Sequence, residues 1–226
     1  MDAVFFSDAH LSCPTDSNYI KLLQWLETIQ AKKLFIVGDL FDFCWSYKSY
    51  TPIELKPMLE KLAQLAQRGT EITLLTGNRD FRFPVVTFPI SIKDSITLQI
   101  GNKNIYVAHG DQADRSPKYR ITKLILRSFL FDWYMKGIGP QKGYQLLQKL
   151  TVKSRAKAVD SKAILQQQKT WAQNHFKNGI DIVIAGHSHH CEKIGLHGGE
   201  LYCIGDWVHL FSFLSIENEE LKLHRL

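Results

Sequence analysis

AVFFSDAH, residues 3–10, carries four apolar residues straight into a serine, an aspartate, an alanine and a histidine. The pattern of an apolar run ending in polar, metal-competent side chains returns four times. LFIV (34–37) runs into Gly38-Asp39-Leu40-Phe41-Asp42, and EITLLT (71–76) into Gly77-Asn78-Arg79-Asp80. IYVA (105–108) runs into His109-Gly110-Asp111, and DIVIA (181–185) into Gly186-His187-Ser188-His189. Between the first two runs, IKLLQWLETIQ (20–30) has apolar residues at helical spacing. A second helix is expected around 52–67, with Pro52 early and Gly69 just past its end. Strand, helix, strand, helix, strand, with apolar strands, reads as an α/β layer with parallel pairing. Ligands of such sheets bind outside the carboxyl ends of the strands, so the five polar endings are expected to converge. Glycines before Asp39, Asn78 and His187 are expected to let the chain turn sharply as it leaves the sheet.

Residues 88–108 read as shorter strands, with a hairpin at Gly101-Asn102. ELYCIG (200–205) and residues 211–226 return to strands, the last pair turning near Glu217-Asn218. The stretch 115–175 is mostly helical. The expected organisation is one α/β core built from 1–112 and 176–226, with a helical insertion over 113–175. At 226 residues with 45% apolar and 22% charged, the chain can bury a sizeable core. The first ten residues have no secretory pattern, and no run approaches the roughly 18 apolar residues that span a bilayer. Cys13, Cys44, Cys191 and Cys203 are scattered without a CxxC pair, which predicts reduced thiols in a cytosolic setting.

The endings hold a specific set of donors. Asp8, His10, Asp39, Asn78, His109, His187 and His189 offer hard oxygens and imidazoles without a thiolate, suited to manganese, iron or zinc. Seven donors exceed one tetrahedral ion but suit two ions with a bridging carboxylate. Two ions about 3.5–4 Å apart can polarise a phosphoryl group and generate hydroxide at neutral pH.

This sequence resembles the calcineurin-like metallophosphoesterases. Their pattern DxH, GDxxD, GNH[DE], H, GHxH appears as Asp8/His10, Asp39/Asp42, Gly77-Asn78-Arg79-Asp80, His109 and His187/His189. The resemblance implies a two-sheet α/β sandwich with a helical cap. It implies one ion on Asp8, His10, Asp39 and His189, and a second on Asp39, Asn78, His109 and His187, with Asp39 as the bridge. Asp42 and Asp80 would orient ligands by hydrogen bonds, and His190 would be no ligand. The departure is Arg79, where most of the family has a histidine placed to assist the leaving group or bind phosphate. An arginine cannot act as a general acid at neutral pH, because its guanidinium stays charged. It can clamp phosphate oxygens and offset developing charge, which favours a leaving group needing no proton, such as a phosphate leaving a pyrophosphate linkage.

GNRDF (77–81) with an inserted helical segment resembles, within that family, the UDP-2,3-diacylglucosamine pyrophosphatases of lipid A synthesis. The resemblance implies hydrolysis of that lipid to lipid X and UMP, two Mn2+ ions per chain, and work at the inner face of the cytoplasmic membrane. Asn78, Arg79 and His187 would be catalytic and would meet the phosphates. Asp114, Tyr119, Ser154, Lys157 and Lys162 would contact sugar and phosphate, with Lys157 and Lys162 competing for one role.

The insertion supports this from its own composition. From Arg115 to Lys162 twelve Lys or Arg face two acids, +10, leaving the remainder at −4 in a chain of net charge +6. YRITKLILRSFLFDWYM (119–135) reads as a helix with a broad apolar face edged by Arg120, Lys123 and Arg127; a second basic amphipathic helix is expected around 143–159. An anionic lipid surface suits both, although the two helices must also pack partly on each other. The alternative is a metal-dependent phosphodiesterase or phosphatase acting on nucleotides or nucleic acid. Large aliphatic side chains, rather than a polar strip with interleaved aromatics, argue against nucleic acid as the partner. A scaffold that had lost its chemistry should have lost ligands, and all seven are present.

Overall fold

The computed structural model describes residues 1–47, 50–155 and 161–226. Its strands are β1 (Ala3–Phe6), β2 (Lys33–Val37), β3 (Cys44–Trp45), β4 (Glu71–Leu75), β5 (Asp80–Arg82), β6 (Ser91–Lys93), β7 (Ser95–Ile100) and β8 (Lys103–Ala108). After the helical segment come β9 (Ile182–Ala185), β10 (Cys191–Leu196), β11 (Gly199–Ile204), β12 (Ser212–Glu217) and β13 (Glu220–Arg225). The helices are α1 (Ser17–Thr28), α2 (Lys56–Gln67), α3 (Pro117–Leu126), α4 (Phe129–Arg155) and α5 (Ser161–Phe176).

Two mixed sheets form an α/β sandwich. The first has the order β13-β12-β1-β2-β4-β6, with β1, β2, β4 and β6 parallel and β12 and β13 antiparallel. The second runs β10-β11-β9-β8-β7, parallel through β11, β9 and β8. Alternation along each strand divides its side chains between two layers. In β1, Ala3 and Phe5 face the second sheet, Phe5 stacking on its β2 neighbour Phe35 at 4.5 Å, while Val4 and Phe6 pack under α1 and α2. In β9, Ile182 and Ile184 join the inter-sheet core, and Val183 and Ala185 lie under α5. Strands with both faces covered must be apolar throughout, which is why they read as continuous runs. Two hairpins fall where expected, with Gly101 at φ of 55° and Asn218 and Glu219 at 51° and 67°, and β10 with β11 forms a third that was not expected.

Of the segment 113–175, α5 packs against the second sheet through Leu165, Trp171, Ala172 and Phe176. The rest carries α3 and α4, and α4 shares a small core with β3 and the residue before it: Met135 and Leu147 meet Phe43 and Trp45. Residues 119–135 do not form one helix, because α3 ends at Leu126 and the Ser128 hydroxyl accepts the Phe131 N–H at 3.1 Å, capping a new helix. A serine within an apolar run reads as neutral by periodicity yet starts a helix when its backbone is extended. The second expected helix is, up to Arg155, the later part of α4, which breaks at Gly139, with φ of 78° and ψ of 169°, before Pro140; its expected end at 156–159 lies outside the described residues. The large side chains of the segment remain outward: Leu124, Phe129 and Trp133 are 72%, 79% and 76% exposed. Among the described residues, no helix is long and apolar enough to cross a membrane.

Candidate metal centre

All five polar strand endings meet at one edge of the sandwich. β1 delivers Asp8 and His10, β2 delivers Asp39, β4 leads to Asn78 and Arg79, β8 leads to His109, and β9 leads to His187 and His189. The backbone is special at these points. Asp8, His10, Asp39, His187 and His189 have φ of 53°, 45°, 51°, 63° and 59°, the left-handed region that costs about 1–2 kcal/mol for a side chain other than glycine's. Strain concentrated on five chemically competent residues belongs to a functional site rather than to a packing requirement.

The donor atoms stand too far apart for good hydrogen bonds and at separations suited to donors about 2.1 Å from a shared cation. Asp8 Oδ1 is 3.7 Å from His10 Nε2, 3.5 Å from His189 Nε2 and 4.0 Å from His109 Nε2. His10 and His189 face each other at 3.4 Å between their Nε2 atoms, and His109 Nε2 is 3.6 Å from Asp39 Oδ2. Two groups could therefore hold an ion: Asp8, His10 and His189, and Asp8, Asp39 and His109. Asp8 Oδ1, common to both, is buried without a hydrogen-bond partner, which is the state of an oxygen arranged for a cation. The residues present thus fit divalent metal ions.

Asn78 Oδ1 lies 3.2 Å from His109 Nε2. His187 stands outside both groups, its ring edge-on to His109 with centroids 5.1 Å apart. His190 turns away, its Nδ1 meeting the Ser188 carbonyl at 3.0 Å.

Hydrogen bonds behind the ligands fix them. Asp80 Oδ2 accepts the backbone N–H groups of Asp39 and Gly77, both at 2.8 Å, and Asp39 Oδ1 accepts that of Arg79 at 2.8 Å. The carboxylate of Asp39 fills the space where Gly77 would carry a Cβ, so that glycine serves close approach, not a sharp turn. Gly38 does need its glycine for the turn, with φ of 84°. The Arg79 guanidinium reaches Asp39 Oδ2 at 3.8 Å and Asp42 Oδ1 at 3.5 Å, beside the cluster. Charge is concentrated here. Burial, with Asp80 and Asp8 nearby, pushes Asp39 up to about 7. Burial opposes the charged form of His109, yet Asp39, Asp8 and Asp111 pull it up to about 9.

Of the residues expected on the substrate, Asp114 accepts the Ser116 N–H at 2.8 Å at the start of α3, and the Tyr119 hydroxyl donates to buried Asp111. Lys162 lies in the first turn of α5. The side chain of Ser154 and all of Lys157 lie outside the described residues. Two bases expected to edge the apolar face turn inward instead. Lys123 pairs with Asp111, and Arg127 donates to the Gly77 carbonyl at 3.0 Å.

One residue of the centre is absent from the sequence reading. Asp206 Oδ2 holds His189 Nδ1 at 3.3 Å, while its Oδ1 accepts the N–H groups of Val208, His209 and Leu210 at 2.8, 2.6 and 3.1 Å. Burial disfavours its charge, but these partners hold the carboxyl well below the usual range. The signal was present: β11 ends in Gly205-Asp206 as β2 ends in Gly38-Asp39. Asp206→Asn keeps an acceptor for the turn and removes the charge behind His189. Metal affinity is expected to fall by about 10–100-fold, read by titration against a chelating dye; unchanged affinity would mean Asp206 only caps its turn.

Residues 1–191 match the family model described as calcineurin-like phosphoesterase, and the chain belongs to that family. It is a hydrolase, of a family that works with divalent metal ions. More particularly, it is similar along nearly its whole length to proteins named UDP-2,3-diacylglucosamine hydrolase. That of Porphyromonas gingivalis is 25% identical over 252 residues, covering 98% of this chain and 96% of the relative. That of Photorhabdus laumondii is 27% identical over 241 residues, covering 99% and 98%. A solved archaeal phosphodiesterase, 14% identical, aligns over 100% of both chains with a TM-score of 0.49.

Proposed function

We propose that this chain hydrolyses the pyrophosphate bond of UDP-2,3-diacylglucosamine, giving lipid X and UMP, at the inner face of the cytoplasmic membrane. The observation that carries the reading is Arg79, a guanidinium 3.8 Å from Asp39 at a position where the family usually offers a proton donor. In this reading Asp8, His10, Asp39 and His189 hold one Mn2+, and Asp39, Asn78, His109 and His187 the other. Divalent ions held there supply Lewis acidity to the phosphoryl oxygens and lower the pKa of water.

The chain's own groups do the rest. Water oxygen adds to the phosphorus of the uridylyl group and gives up a proton to solvent, the bond to the bridging oxygen breaks, and the sugar 1-phosphate departs with the electron pair. Arg79, backed by Asp39 and Asp42, clamps the phosphate oxygens and offsets the charge that builds on them. Asn78 and His187 orient the phosphate, and Asp114, Tyr119, Ser154, Lys162 or Lys157 meet sugar and phosphate. Incubation with UDP-2,3-diacylglucosamine and manganese in mixed micelles is expected to release UMP and lipid X. Cleavage of soluble nucleotide esters at a comparable rate, with no detergent dependence, would favour the nucleotide phosphodiesterase reading instead.

The acyl chains and the membrane would be met by the exposed side chains of α3 and α4. Ile121, Leu124, Ile125, Phe129, Leu130, Trp133 and Tyr134 are all exposed, beside Arg115 and Arg120. Apolar exposure on this scale next to basic residues suits a lipid interface. Replacing Leu124, Phe129 and Trp133 together by serine is expected to weaken sedimentation with anionic vesicles by about 10–100-fold, given ~25 cal/mol for each Å² of lost apolar contact. Unchanged sedimentation would remove these helices from the interface.

A further inference from the structure

Gln168 is fully buried on α5, on a face otherwise made of Leu165, Trp171, Ala172 and Phe176. A buried amide is costly unless it is hydrogen-bonded, so the groups it meets explain its presence. Its Nε2 donates to the carbonyl of Gly186 at 2.9 Å, and its Oε1 lies 3.9 Å from Cys203 Sγ. Across the same peptide unit, the N–H of His187 donates to Asp8 Oδ2 at 2.8 Å. The Gly186–His187 peptide is therefore held at both ends, its carbonyl by α5 and by the Ser188 N–H at 2.7 Å, and its N–H by Asp8.

This peptide plane matters because of what it orients. It leads into the left-handed φ of His187, 63°, which has no local stabilisation from glycine. It also fixes Asp8 Oδ2, and a carboxylate held by one oxygen presents the other in a set direction. That other oxygen is Oδ1, unpartnered and shared by both groups of metal-competent atoms. Two glycines make the arrangement possible. A Cβ on Gly110 would strike Gln168 Nε2, and one on Gly186 would strike the Asp8 carboxylate.

We propose that Gln168 is a positioning residue of the metal centre: through the Gly186–His187 peptide it sets the Asp8 carboxylate and the His187 side chain. The proposal rests on the reading of Asp8 and His187 as metal ligands. A glutamine that merely fills space can be replaced by a side chain of similar volume without effect on metal binding.

The test compares wild type, Gln168→Met and, as a control on the same helix face, Leu165→Val. Affinity for Mn2+ is read by titration against a chelating dye, and folding by thermal melting of the metal-free proteins. Gln168→Met is expected to bind Mn2+ about 10–100-fold more weakly, while Leu165→Val lowers the melting temperature and leaves affinity unchanged. Folded Gln168→Met with wild-type affinity would overturn the proposal. Failure of the underlying reading looks different, since wild type itself would then bind no metal. If Gln168→Met does not fold, wild type carrying 15N-glutamine decides: the Gln168 side-chain amide should shift on titration with Zn2+, and an unmoved resonance overturns the assignment.

Discussion

Asp39→Ala is expected to lose turnover to background and to lose bound metal with it. Asp39 stands in the second metal-competent group with its Oδ2 3.6 Å from His109 Nε2, and in the proposed mechanism it serves both ions. The loss should therefore exceed the roughly 10–100-fold that removal of an outer hydrogen-bond partner costs. Alanine does a second thing, because Asp39 Oδ1 accepts the Arg79 N–H at 2.8 Å and that donor would be left unpaired. Asp39→Asn separates the effects by keeping an acceptor of the same shape while removing the charge. It should lose metal and activity as the alanine does, yet keep the turn of residues 77–80.

Stability gives an independent reading of the same substitution. Burial, together with Asp80 and Asp8, pushes the Asp39 carboxyl up to about 7 in the metal-free protein. A raised carboxyl favours its neutral form in the fold, so ionising it costs stability, increasingly as pH rises from the ordinary range near 4 through about 7. Metal-free Asp39→Asn should therefore melt no lower than metal-free wild type at pH 8. A lower melting temperature would show that the carboxylate is structural. Equal or higher stability with lost metal would mark a residue kept for chemistry at the expense of the fold.

Arg79→Ala is expected to keep its metal and lose turnover by about 10²–10³-fold, equivalent to roughly 2.7–4 kcal/mol of transition-state stabilisation. The side chain contacts Asp39 and Asp42 but is not among the metal-competent groups, so metal per chain should match wild type. Most of the change should fall on kcat, since a clamp on developing charge is strongest in the transition state. Arg79→Lys keeps the charge without the planar fork and should recover only part of the rate. Metal loss in Arg79→Ala, or a change confined to KM, would remove the arginine from the role given to it here.

The contrast between these residues shows how legible the site was. Asp8, His10, Asp39, His109 and His189 could be found because each follows an apolar run that had to be a strand, and strands of a parallel layer end on one side. Asp206 follows the same rule, but its strand pairs with β9 in the second sheet, and nothing local says that its turn reaches His189. Lys123 and Arg127 look like exposed bases beside an apolar stripe, and only the placement of α3 turns them toward Asp111 and the Gly77 carbonyl. The split between α3 and α4 was hidden for a different reason: a serine's preference for capping is decided by its backbone, which the surrounding packing sets.

By itself, the sequence determined the alternation of buried strands and helices, two of the hairpins, and the convergence of metal-competent side chains. Each of these depends on periodicity and turn chemistry within a few residues. Tertiary structure alone decided which backbone groups stand behind those ligands. Gln168 holding the Gly186 carbonyl, Asp206 holding His189 and Arg127 holding the Gly77 carbonyl join segments 18, 17 and 50 residues apart. Such pairs leave no periodic trace, because a hydrogen bond between distant segments constrains one atom on each and leaves the neighbouring residues free.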